Sequence, residues 1–180
     1  MNEIYLLLGG NIGNRQRILH LAAKEIEKSV GKILKKSKLY ETQPWGNENQ
    51  DNFLNQVIFA QTWHTPKKLL DEILKIEKLL GRVRGKRKWS KRIIDIDILF
   101  YLKNQKGVKD ALLKGENIIL KTDDLEIPHP RIHLRNFTLV PLNEIAPWVF
   151  HPVLKKTVSE LFAACTDDLK VESVLEKKFN

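Results

Sequence analysis

Between Arg82 and Tyr101 the chain reads RVRGKRKWSKRIIDIDILFY, and its second half leaves little freedom of fold. From Ile93 to Leu99 every residue is apolar except Asp95 and Asp97. Successive side chains of a strand alternate faces, so a strand here turns both aspartates one way and Ile94, Ile96 and Ile98 the other. Their Cβ atoms then lie roughly 6.5–7 Å apart, twice the strand rise. An isolated buried charge is strongly disfavoured, so two carboxylates between isoleucines make a poor core. They make a good seat for hard divalent cations, and Asp95 and Asp97 are the candidate metal ligands. Without a cation both carboxylates are expected to be uncompensated, so replacing either could stabilise the bare strand.

The first half of the segment supplies the complement. Seven Lys or Arg side chains fall within residues 82–92 and no acid does, so seven of the nine net positive charges sit in one loop. Basic runs are often no more than solvated loops. This one is delivered beside two carboxylates, which suits a polyanion that travels with magnesium, such as a nucleoside triphosphate. Focused charge steers anionic ligands, whereas nucleic-acid binders more often spread charge along a face. One cysteine, Cys165, excludes an internal disulfide and fits a reducing, cytoplasmic setting. No secretory signal is expected at the N-terminus, and no apolar run reaches membrane-spanning length.

The rest of the chain reads as one domain over residues 1–180. Ile4 to Leu8 is a buried strand, followed by a glycine turn and a helix spaced by Ile18, Leu21, Ala22, Ile26 and Val30, which Gly31 stops. Ile33 to Thr42 and Phe53 to Thr62 are strands, separated by a polar loop. Thr65-Pro66 caps a helix through Leu69, Ile73, Ile76 and Leu80. The order β-α-β-β-α-β predicts an α+β, ferredoxin-like antiparallel sheet with these helices on one face. Residues 103–125 read as an inserted hairpin. A helix is expected over 135–145, and Thr157 with Glu160 makes a capping box for a last short helix.

The glycines at 9–13 fit neither G-x-G-x-x-G nor a P-loop, so any nucleotide phosphates must be held by Arg, Lys and metal ions. Arginine offers bidentate donors for that purpose. The loop 43–52 differs in character: Trp45 stands between Pro44 and Gly46, and Phe53 and Asn55 follow on one strand face. Aromatic rings with an amide suit a flat heterocycle, though Phe53 alone reads equally well as core. His129, held between two prolines, is a candidate ligand contact or a structural hydrogen-bonding group.

These segments closely resemble one family, the 6-hydroxymethyl-7,8-dihydropterin pyrophosphokinases of folate biosynthesis. The resemblance runs through YLLLGGNIGNR, the stretch Tyr40 to Gly46, Asp51 to Asn55, GRVR, Arg92-x-x-Asp95-x-Asp97-Ile98-Leu99 and IPHPRIHLRNFTLVPLNEIAP. It implies transfer of pyrophosphate from ATP to the pterin hydroxymethyl group, with two magnesium ions on Asp95 and Asp97. It further implies that Arg82, Arg84, Trp89 and Arg92 lie on a mobile loop that closes over the reactants, with Arg82 and Arg92 catalytic alongside the aspartates. Glu77, Arg84, Trp89, Arg92, Ile98, His129 and Arg135 would bind ATP, and Thr42, Gln43, Trp45, Phe53, Asn55 and Phe137 the pterin. The chain departs from the family in Ser90-Lys91, where Gly-Pro is usual, in Gly10, where Ser is common, and in a longer 103–125 stretch. It is expected to be a monomer without nucleic-acid or membrane partners. Two rival chemistries remain at this level. A ferredoxin-like RNA binder would need stacking aromatics on its central strands. A nucleotidyl transferase would use the same paired aspartates but attack the α-phosphorus.

Overall fold

The computed structural model describes residues 1–46, 50–83, 91–104, 115–175 and 179. Its centre is β1 (Asn2–Gly10), an apolar run buried on both sides: Ile4, Leu6 and Leu8 enter one core, Tyr5 and Leu7 the other. The helix α1 (Arg15–Ser29) starts where the Asn14 side chain accepts from the Arg17 amide at 3.1 Å. The expected second strand is two, β2 (Gly31–Lys36) and β3 (Leu39–Thr42), both paired with β4 (Phe53–Thr62). The break falls at Ser37, whose Oγ takes the place of a backbone carbonyl and accepts from the Val57 amide at 3.0 Å. The helix α2 (Pro66–Leu79) begins at Thr65 and Pro66 as expected, and β5 (Asp95–Asn104) carries the aspartates.

β1 lies between β4 and β5, antiparallel to both, which is the ferredoxin-like arrangement. Beyond β5, β6 (Gly115–Asn117) extends one sheet edge, and β7 (Leu120–Lys121) pairs with β8 (Glu126–Ile127). The expected hairpin over 103–125 is therefore a pair of small ladders, and residues 105–114 lie outside the described residues. A 3-10 turn, Ile132–Leu134, leads into α3 (Asn136–Ile145). Next come β9 (Phe150–His151), β10 (Lys156–Thr157), α4 (Val158–Ala163) and β11 (Val171–Val174), which lines up against β3 as the other edge strand. Thr157 and Glu160 form the reciprocal capping box of α4.

The two helices expected on one face lie there, α1 and α2 burying Ile4, Leu6 and Leu8, while α3 and α4 add a second layer that buries Tyr5, Leu7, Val57 and Phe100 on the other. A sheet that is apolar on both sides needs a layer on each. A bulge in β5 adjusts the alternation to this plan. Tyr5 pairs with Phe100 but Leu6 pairs with Ile98, so Leu99 is extra and the phase shifts by one. Asp95, Asp97 and Phe100 thereby share the α3 face. Because that second layer carries its own core, Leu142→Ala, at a fully buried α3 position, should cost about 2–5 kcal/mol in urea unfolding. Trp63→Ala, at a site 77% exposed, should stay within about 0.5 kcal/mol of the wild type.

Candidate active site

Four strands lay the floor. Asp95 pairs across the ladder with Gly9, and Gly9 with Asn55, while Asp97 pairs with Leu7. A Cβ on Gly9 would come within 2.4 Å of Asn55 Oδ1, so only glycine lets the amide lie over β1. The amide is held there by donating from Nδ2 to Thr42 Oγ1 at 2.8 Å. Thr42, Asn55, Gly9 and Asp95 thus form a row across β3, β4, β1 and β5.

Two pockets open over this floor and share both aspartates. The first is walled by Thr42, Gln43, Trp45, Phe53 and Asn55 on one side and by Arg135 and Phe137 on the other. It gathers all six residues expected around a flat heterocycle. The Arg135 guanidinium stands 4.7 Å from the centre of the Trp45 ring and 5.3 Å from that of Phe137. Burial, reinforced by Arg131, pulls its pKa down to about 10. Arg92 lies over Phe53 at 5.9 Å. Arg92 and Arg135, expected among the phosphate-binding groups, also line the aromatic pocket. Arg92 is drawn in by Asp95 and Phe53, and Arg135 opens the helix that covers this face.

The second pocket contains Glu77, Arg82, Ile98 and His129. Glu77 is 2% exposed and accepts from the Ile96 amide at 2.9 Å, which fastens α2 to β5. His129 accepts at Nδ1 from the Arg131 amide at 3.2 Å. Burial, with Arg135 and Arg131 adding to it, depresses its pKa to about 4, so it is neutral and can donate only from Nε2. Arg84 and Trp89 lie outside the described residues.

The two aspartates differ electrostatically, which corrects the expectation that both are uncompensated. Asp95 is paired with Arg82 and Arg92, and Arg82 also pairs with Glu77. Asp97 makes no ion pair or hydrogen bond among the described residues. Loss of hydration, followed by repulsion from Asp95, raises its pKa to about 7. Replacing Asp95 would take a carboxylate away from both arginines, so the expected stabilisation applies to Asp97 alone. Two carboxylates on one strand face, one lacking a counter-charge, fit a hard divalent cation. Among the described residues no group of three His, Cys, Asp or Glu is placed to hold a metal.

Sequence reasoning passed over Asn11, which is the hinge of the whole corner. Its amide donates to Arg92 O at 2.9 Å, its Oδ1 accepts from Arg92 N at 2.8 Å, and its Nδ2 donates to Asp51 O at 3.2 Å. An asparagine directly after two glycines was the available sequence signal; the fold leaves it only 5% exposed. Leu7, Gly9 and Gln50 also line the first pocket and carry no sequence mark of it.

A model of the 7,8-dihydro-6-hydroxymethylpterin-pyrophosphokinase family matches residues 5–147. A 2-amino-4-hydroxy-6-hydroxymethyldihydropteridine pyrophosphokinase of Aquifex aeolicus is 41% identical over 160 residues, covering 89% of this chain and 90% of the relative. The Porphyromonas gingivalis protein of the same name is 35% identical over 154 residues, covering 84% and 95%. The fold is similar to that of a crystal structure of Plasmodium falciparum HPPK-DHPS, with a TM-score of 0.66 at 24% identity over 91% of this chain. The match spans 43% of that longer chain.

The raised Asp97 pKa fixes the sign of a pH dependence. Between the ordinary carboxylate range and about pH 7 the folded protein holds a proton that the unfolded chain has lost, so stability falls as pH rises. His129, depressed to about 4, acts oppositely: stability rises as pH climbs from about 4 to the ordinary histidine range, which masks part of the Asp97 slope. Asp97→Asn should unmask the rising slope below pH 6.5. At pH 8, without ligand, it should stabilise the protein by on the order of 1–3 kcal/mol. Chemical denaturation across pH 4.5–8 tests this, and a profile unchanged by the substitution would contradict the assignment.

Proposed function

The chain belongs to the 7,8-dihydro-6-hydroxymethylpterin-pyrophosphokinase family, and we propose how its two pockets divide that family's reaction. The protein is an ATP-dependent pyrophosphokinase of folate biosynthesis that transfers pyrophosphate to hydroxymethyldihydropterin. In our reading the aromatic pocket takes the pterin, with Phe53 and Phe137 on its faces, Trp45 beside it, and Thr42, Gln43 and Asn55 at its polar edge. The neighbouring pocket takes ATP along Glu77, Arg82, Ile98 and His129, with Arg84 and Trp89 contributed by the basic loop. The observation that carries the reading is that Asp95 and Asp97 belong to both pockets, so a hydroxymethyl group from one side and a triphosphate from the other meet above them.

The hydroxymethyl oxygen attacks the β-phosphorus, the bond from that phosphorus to the α,β-bridging oxygen breaks, and AMP departs while the hydroxyl proton passes to solvent. Among the described residues no side chain is placed as an evident general base. Two magnesium ions would be held by Asp95 and Asp97, where they would neutralise the triphosphate and screen the developing charge. As triphosphate enters, the Arg82 and Arg92 guanidinium groups exchange Asp95 for phosphate oxygens and place donors where negative charge accumulates. Neutral His129 donates a single hydrogen bond to a phosphate oxygen. We assign the whole of 1–180 to one domain, acting as a cytoplasmic monomer on these small molecules, with no nucleic-acid or membrane partner. No helix among the described residues is long and apolar enough to cross a membrane.

Phosphorus NMR of a reaction with ATP, magnesium and 6-hydroxymethyl-7,8-dihydropterin should show AMP and a pterin diphosphate. Free pyrophosphate would instead identify attack at the α-phosphorus and a nucleotidyl transferase. The pocket arginines also predict an order of binding. Arg135 stands on Trp45 and Phe137, and Arg92 on Phe53, so the faces that a pterin needs are held by cations that triphosphate attracts. Calorimetry should therefore find pterin binding at least about ten-fold tighter with a non-hydrolysable ATP analogue and magnesium present. Equal affinity with and without the analogue would refute this coupling.

A further inference from the structure

The two walls of the aromatic pocket are distant in sequence. One continues β3 as Thr42 to Trp45, and the other is the start of α3, Arg135 to Phe137. At the far end of α3 the walls are joined directly: Glu144 Oε2 accepts from Tyr40 Oη at 2.9 Å and from Lys38 N at 3.0 Å. At the pocket end the connection runs through a third segment, beyond the residues that the family model matches. Asp167 Oδ2 accepts from the Asn136 amide at 2.8 Å, and the Asp167 carbonyl accepts from Asn136 Nδ2. Three residues later Lys170 N donates to Gln43 Oε1 at 2.9 Å, and Lys170 O accepts from Gln43 N at 3.2 Å.

We propose that Asp167 to Lys170 is a strap that sets the spacing of the two walls, and that Asp167 is a positioning residue for pterin binding. The inference rests on the reading that this pocket takes the pterin. Each link has a physical reason. The residue preceding α3 is Arg135, whose side chain makes no cap, so the first orphan amide of the helix is satisfied from outside by Asp167, with a carboxylate at the favourable end of the helix dipole. The other oxygen of the same carboxylate, Oδ1, accepts from Leu169 N at 3.2 Å and folds the strap into a fixed turn. Three residues reach at most roughly 10 Å, which bounds the separation that the strap can span. β11 then continues the pairing, Val171 against Thr42, which fixes the strap in register with β3. The residue that Asp167 caps lies between Arg135 and Phe137, so a shift there moves the cation and the ring together. The residue that Lys170 holds, Gln43, has one lone pair of its side-chain oxygen engaged by the strap, which orients its NH2 group for a ligand.

Three substitutions separate positioning from general stability. Asp167→Ala removes the cap and the turn. Lys170→Pro removes the donor to Gln43 while leaving α3 capped. Lys170→Ala is the control, because among the described residues that side chain pairs only with Glu172 at the surface. With ATP analogue present, the first two should raise the pterin Kd about ten-fold, the scale of one lost cap or charged hydrogen bond, and Lys170→Ala should not. Lys170→Pro should leave the affinity for the ATP analogue within about two-fold, and Asp167→Asn, which can still accept from Asn136 N, should recover part of the loss. Amide hydrogen exchange of the ligand-free proteins supplies a readout independent of any ligand: Asp167→Ala should speed exchange at Gln43 as well as at Asn136. Faster exchange confined to Asn136, or a lowered melting temperature with unchanged pterin affinity, would overturn the strap. If Asp167→Ala does not fold, the contrast between Lys170→Pro and Lys170→Ala decides in the same way. A wild-type protein that binds no pterin, with the Gln43 exchange response intact, would overturn the pocket assignment and leave the strap standing.

Discussion

Asp95 is where the separate parts of this molecule meet. Its carboxylate pairs with Arg82, which follows α2, and with Arg92, which enters β5, while Arg82 reaches on to Glu77 inside α2. Glu77 in turn receives the Ile96 amide, so helix, strand and both ends of the basic loop are joined around one charge cluster. Such a cluster is a weak contributor to net stability, because desolvating its members offsets much of their attraction. Breaking it is costly, because the half-buried charges that remain lose part of their compensation. That asymmetry suits a site whose counter-ions are to be exchanged for ligand phosphates, since the arginines are already ordered and already close.

The second aspartate solves the same problem differently. Asp97 stands against Leu7 on the side where α3 closes over the sheet, and it keeps a proton near neutral pH in place of a cation. Two residues apart on one strand, one carboxylate is compensated and the other is waiting. Metal binding at such a pair expels a proton, and the ligand-free protein gives up stability to maintain the site.

The aromatic pocket shows a related economy. Its ring faces are covered by Arg135 and Arg92, so under the proposed division of the pockets a single set of side chains would protect one site and serve the other. The pocket is assembled from both edges of the fold. The row of Thr42, Asn55, Gly9 and Asp95 runs across the sheet, and α3 descends on it from the second layer, fastened at one end by Glu144 and at the other by the segment 167–170.

Much of this was legible one segment at a time. The D-I-D-I alternation identified β5 and the facing of its aspartates, Thr65-Pro66 and the Thr157–Glu160 box located two helix starts, and the aromatic–amide run from Trp45 to Asn55 marked one pocket wall. These are local signals, carried by backbone geometry over a few residues. Family resemblance then named the partners of each segment, though not how they are arranged. Only the folded chain decided that Arg92 and Arg135 stand in the aromatic pocket, that Asp95 is paired while Asp97 is not, that a bulge at Leu99 turns Phe100 to the same face as the aspartates, and that the four short residues of β11 reach back to β3. Each of those depends on which element lies beside which, and thus on burial and charge balance summed over the whole domain, a quantity that no window of sequence contains.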